Sequence, residues 1–148
     1  MIDSLYVLLV FDGRYIFVPQ HEVQSIEIIA DVELMQAPEE KSVGWFFEHG
    51  LESPVFCLSN ELALLTTLPK QREYLIILKD ELIGITGDEV ENINIEHENI
   101  HLQDLPIVMK TVESPLSKLL IFNGKVGCVC NGPALVNYIK YLTGVIEK

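Results

Sequence analysis

Trp45, Phe46 and Phe47 follow one another inside the stretch Val43–Leu58, and a strand cannot bury three consecutive side chains on one face. The stretch reads as two strands joined at a glycine. Val43 to Phe47 is apolar and rich in strand-forming aromatics. The second arm, Pro54 to Leu58, is placed with Pro54 at its start, where a missing N–H does least harm to a ladder. Gly50 supplies the bend, where a positive φ is cheapest for glycine, and the Glu48-His49 corner is displayed beside it. At least one aromatic must face a second side, so the chain needs either two cores or an apolar binding surface.

Three further hairpins surround this one. Leu5–Phe11 and Arg14–Val18 flank Asp12-Gly13, and Leu119–Phe122 and Lys125–Cys130 flank Asn123-Gly124. Both are favoured two-residue hairpin turns. Glu73–Leu78 and Leu82–Thr86 flank the charged tip Lys79-Asp80-Glu81. Between these, His21–Ile29 reads as one helical turn and a short strand, with Val23 and Ile26 pointing the same way. Asp31–Ser42 reads as an exposed loop, Asn60–Leu65 as a brief helix, Glu89–Ile95 as a half-buried strand, and His97–Lys110 as irregular. The tail differs: Asn131 as cap, Pro133 near the first helical position and Leu135, Tyr138, Ile139 and Leu142 on one face predict a helix over about 132–143. The pattern is a mainly β body with one C-terminal helix, a single domain over 1–148 made of two barrel-like halves. No linear repeat period is visible.

Composition narrows the partners. With 49% hydrophobic residues the chain can fill a sizeable core. The net charge is −12 without a basic block, which argues against nucleic acid and anionic lipid, since both require Lys or Arg against phosphate. No apolar run reaches the length of a membrane span, and Met1–Phe11 lacks the positive start of an export signal. Three cysteines then imply reduced thiols, and a cytoplasmic protein is expected.

No chemistry-bearing constellation stands out. Cys128 and Cys130 alternate on one strand face, about 7 Å apart by strand geometry, and no second ligand pair completes a metal site. His97 and His101 are an i, i+4 pair in a segment of weak helical pattern. Cys57 sits in an apolar strand without the electropositive setting a nucleophilic thiol needs. Gly84, Gly87, Gly124 and Gly127 do not form a phosphate loop. Neither catalysis, cofactor nor metal is expected.

Three ordered segments resemble the CheW-like domain of bacterial chemosensory systems. They are Tyr15–Pro19 with Glu22–Ile26, then Gly44 to Leu58 with Gly50, Pro54 and Val55 at matching spacing, then Ile83–Val90. The resemblance spans roughly Leu5 to Leu135 and implies two SH3-like five-stranded β-barrels sharing a core. It also implies a non-catalytic, stand-alone adaptor that couples a chemoreceptor-like protein to a chemotaxis-type histidine kinase. The partner-binding positions carried over are Val23, Ser25, Ile26, Phe47, His49 and Gly50. His49 stands where the family has a receptor-contacting arginine, Phe47 replaces an asparagine, Cys57 an aspartate and Ser25 a glutamate. Histidine lacks the permanent charge and rigid fork of arginine and titrates between pH 5 and 8. These departures suggest a diverged adaptor, as in an array controlling pili or another non-flagellar output. The alternative is a small-molecule sensor that binds its ligand in the cleft between the barrels, near Trp45 and Phe46.

Overall fold

The computed structural model describes residues 5–34, 42–48, 50–95, 100–107, 114–122 and 124–144. In chain order the strands are β1 (Leu5–Phe11), β2 (Arg14–Pro19), β3 (Val23–Ile28), β4 (Val32–Leu34), β5 (Gly44–Glu48), β6 (Leu51–Leu58), β7 (Leu64–Leu65), β8 (Tyr74–Leu78), β9 (Gly84–Gly87), β10 (Glu89–Asn94), β11 (Ile100–Asp104), β12 (Leu116–Phe122) and β13 (Lys125–Cys130). One helix, α1 (Gly132–Thr143), follows. They form two curled sheets, one per lobe. Lobe 1 has the order β10-β1-β2-β13-β12-β11, and lobe 2 the order β3-β8-β9-β6-β5-β4 with β7 on β6. In each lobe the two end strands are neighbours in the chain, so each sheet curls back on itself. Lobe 1 has six strands and lobe 2 seven, the short β4 and β7 included.

Each lobe contains one parallel contact, β2 with β13 in lobe 1 and β6 with β9 in lobe 2. Both flanking hairpins are antiparallel. The lobes therefore share one topology, but their strands enter it at different points. Lobe 2 runs β3 to β9 without interruption, whereas lobe 1 takes β1 and β2 from the start of the chain and β10 to β13 from after lobe 2.

The long apolar runs are explained by burial on both faces. Along β1, Val7, Leu9 and Phe11 face a core shared by the lobes, while Tyr6, Leu8 and Val10 face a core inside lobe 1. Along β6, Phe56 and Leu58 enter the shared core and Val55 and Cys57 the core of lobe 2. Helix α1 seals the shared core with Leu135, Val136 and Ile139. Its first amide, Gly132 N, donates to Glu22 Oε1 at 2.7 Å, so a carboxylate from the turn before β3 serves the end that Asn131 leaves without a side-chain cap.

Several expectations change. Asn60–Leu65 is not helical: Ser59 Oγ accepts from Glu61 N and Ala63 N, each at 3.2 Å. Leu62 then adopts a φ of 63° to reach the shared core, and a side-chain oxygen that takes backbone donors competes with helix. The segment Asp31–Ser42 contributes β4, and Ser42 is buried; residues 35–41 lie outside the described residues. Ile100–Asp104 is strand β11, an edge strand whose polar residues conceal the pattern. Pro54 sits inside β6 rather than at its start. It is tolerated because β9 joins that flank of β6 only from Val55 onward.

Candidate interaction surface

β3 follows a row of side chains out of the core. A bulge between Val23 and Ser25 breaks the alternation, so that Val23, Ile26 and Ile28 share the face of their partners Leu78, Ile76 and Tyr74. Leu78 and Ile76 lie in the shared core, and Val23 packs against it. Ile26 is 39% exposed and Ile28 49%, because lobe 1 covers this outer face of lobe 2 at β8, β9 and β6 but not at its flank. Ser25 is half-buried on the opposite face, beside Ile77 of the lobe 2 core.

The other flank is β5, where the three aromatics separate as the sequence requires. Phe46 enters the lobe 2 core, while Trp45 is half-buried and Phe47 is 45% exposed on the outer face. The pairing of Val32 with Phe46 carries Phe47 to the level of the turn that follows Ile28. Exposed Glu52 stands opposite Phe47 and exposed Glu33 opposite Trp45. The surface is thus apolar with an acidic border.

Gly50 is exposed with a φ of 78°, and His49 lies outside the described residues. Of the six positions carried over, Ile26, Phe47 and Gly50 are at the surface, Val23 and Ser25 are half-buried beneath it. Ile28 was missed; its period-two spacing from Ile26 was visible, but not which face of the strand would be uncovered. At the location expected for a ligand, beside Trp45 and Phe46, the described residues place Phe46 inside the lobe 2 core, and a shared apolar core lies between the lobes.

Beneath this surface the lobes are tied by Arg72, a residue without any sequence signal. Its side chain is fully buried. Nη2 donates to Asp12 Oδ2 at 2.9 Å and to the Leu58 carbonyl at 2.8 Å, and Nη1 donates to Thr86 Oγ1 at 3.0 Å. Nε stands 3.0 Å from Asp88 Oδ1, an ionic contact rather than an aligned hydrogen bond. Asp88 in turn accepts from Asp12 N at 3.0 Å, which gives the aspartate of the Ile83–Val90 segment a structural task at the lobe junction.

The described residues offer little for chemistry. Thr86 Oγ1 donates to Cys57 Sγ at 3.0 Å. Burial nonetheless keeps that thiol above its ordinary pKa, against the smaller opposing effects of Thr86 and Arg72. Burial likewise raises Cys128 and Cys130. Such thiols stay protonated and are poor nucleophiles. His101 is exposed on β11 and His97 lies outside the described residues. Among the described residues no group of three or more His, Cys, Asp and Glu is placed to hold a metal, and no helix is long and apolar enough to cross a membrane.

No protein-family model matches the sequence, and no curated protein matches it. Solved structures do. The scaffolding protein TtCheW from Thermoanaerobacter tengcongensis superposes with a TM-score of 0.66 at 18% identity, over 87% of this chain and 89% of that one. Near-complete coverage of both chains means that the two-lobed architecture is shared as a whole, and not one barrel of it. The protein has a CheW-like fold of two curled, SH3-like β lobes with a C-terminal helix.

Proposed function

We propose that this protein is a non-catalytic, cytoplasmic adaptor of a bacterial chemosensory system, joining a chemoreceptor-like protein to a chemotaxis-type histidine kinase. The observation that carries the reading is the uncovered outer face of lobe 2, where Ile26, Ile28 and Phe47 stand in solvent on strands whose neighbours are fully packed. A monomer gains nothing from three large apolar side chains so placed, whereas a partner does. Glu33 and Glu52 at the border, in a chain of net charge −12, select a partner with basic residues around an apolar centre. Val23, Ser25, Ile26, Phe47, His49 and Gly50 form the partner-binding set, with Ile28 added. An array controlling pili or another non-flagellar output is the setting that the departures at Phe47 and His49 favour.

The test is a pull-down from native cytoplasm, followed by mass spectrometry. The unaltered protein is expected to retain a chemotaxis-type kinase, and Ile28→Ser with Phe47→Ala to lose it. Both changes are at exposed sites, so stability should move by no more than about 1 kcal/mol. Recovery of the same kinase by the double variant would remove this face from the interaction.

A further inference from the structure

Where the core of lobe 1 reaches solvent lies an open cavity of about 290 Å³, walled by Leu8, Val10, Tyr15, Glu89, Glu91 and Lys125. Its make-up follows from the register of the end strand β10 on β1. Ile93 stands opposite Tyr6, and both enter the lobe 1 core. Nearer the start of β10, Glu91 stands opposite Leu8 and Glu89 opposite Val10, and residues paired across an antiparallel ladder share a face. The inner face of β10 thus changes from apolar to acidic along one strand, while Leu8 and Val10 beside it remain core residues. Tyr15 is the partner of Val10 on β2 and supplies a half-buried aromatic wall on the other side.

The charges in this cavity do not balance. Lys125 reaches in from β13 and holds Nζ 5.2 Å from the centre of the Tyr15 ring. Tyr15 and, more weakly, Glu89 favour its charged form. The aromatic wall therefore already carries one ammonium, supplied by the chain itself, in the arrangement by which a π face attracts a cation. That single ammonium stands against two carboxylates. Among the described residues Glu91 has no ion-pair partner; it is exposed, so a ligand reaches it without breaking a contact. In a chain of net charge −12 the general field draws cations toward such a place and repels anions.

We infer that this cavity binds a small organic monocation, its ammonium at Glu91 and its apolar body over Leu8 and Val10. Lys125 is the internal competitor for the same charge. The site belongs to lobe 1, apart from the β3 and β5 flanks of lobe 2, and stands independently of the adaptor reading.

The test is an amide-shift NMR titration of the whole protein with 2-phenylethylammonium, and with 2-phenylethanol as the uncharged control. The expected result is saturable shifts centred on Tyr15, Glu91 and Lys125, with the alcohol about fivefold weaker, as suits one solvent-exposed charge contact. Glu91→Gln should weaken the amine about fivefold and leave the alcohol unchanged. Lys125→Met should act in the opposite direction and tighten the amine, because it removes the competing ammonium and keeps an apolar stem. Both substitutions are at exposed sites, where the fold tolerates them. Equal binding of amine and alcohol, no effect of Glu91→Gln, weaker amine binding by Lys125→Met, or no saturation at about 10 mM, a decade weaker than a Kd of 1 mM, would each overturn the assignment. The inward carboxylates would then serve only to keep the end strand β10 from pairing with other chains.

Discussion

Arg72 Nη2 donates to Asp12 Oδ2 across 2.9 Å, and this one contact joins the loop before β8 in lobe 2 to the first turn of lobe 1. The guanidinium also lies over the Phe11 ring at 5.1 Å from its centre. Replacing Arg72 by Leu would strand Asp12 and Asp88 at the junction and is expected to cost about 3–5 kcal/mol. Asp12→Asn keeps an acceptor for Arg72 and should cost about 1 kcal/mol. Urea unfolding measures both; equal costs would mean that the junction is not organised around the arginine.

The thiols predict alkaline lability. Burial raises all three in the folded state, whereas the unfolded chain loses thiol protons near pH 8.5. Above that pH the folded chain still holds protons that the unfolded chain has released, so stability falls as pH rises, with Cys130, the most deeply buried of the three, contributing a slope of about 1.4 kcal/mol per pH unit. Cys130→Ala should remove that share from the slope between about pH 9 and 10.5. An unchanged slope would show that Cys130 does not stay protonated.

Gly44 and Gly50 should resist substitution for different reasons. A Cβ at Gly44 would press into the Glu33 carbonyl oxygen of β4, so alanine must push a paired strand aside at about 1–3 kcal/mol. At Gly50 nothing stands within 4 Å, and alanine pays only for a φ of 78°, about 1 kcal/mol. Amide exchange in β4 should accelerate for Gly44→Ala and remain unchanged for Gly50→Ala.

Glu22 caps α1 from far away in the sequence. Glu22→Ala should cost about 1 kcal/mol and speed amide exchange in the first turn after Gly132. Glu22→Gln, which retains an acceptor, should recover most of that loss. A helix end equally protected in all three proteins would show the contact to be incidental.

The hairpins were legible because turn chemistry is local. Asp12 and Gly13 both adopt positive φ, as does Gly124, and the residue pairs that permit this can be read directly. The equivalence of the halves was not legible. Lobe 1 is a circular permutation of lobe 2, so no constant offset aligns one with the other. Arg72 was hidden for a similar reason: Asp12 and Asp88 lie far from it in the chain, and nothing in Lys70-Gln71-Arg72 announces burial. At the candidate surface, three aromatics in a row required at least one to face away from the lobe 2 core but did not say which; Phe47 was singled out by the family resemblance. Ile28 required knowing where lobe 1 stops covering β3, which is a fact of tertiary packing.

The parallel contact of β2 with β13 has a consequence for how the chain is made. Translation delivers the β1–β2 hairpin before lobe 2, yet the strand that pairs with β2 at Ile16 and Phe17 follows lobe 2 in the chain. All of lobe 2 emerges in between as one unbroken segment, able to fold on the nascent chain while the hairpin waits. For that interval the apolar faces of Leu5–Phe11 are without their final cover. The β1–β2 hairpin is therefore a segment with reason to need shielding from wrong partners until β13 has been made.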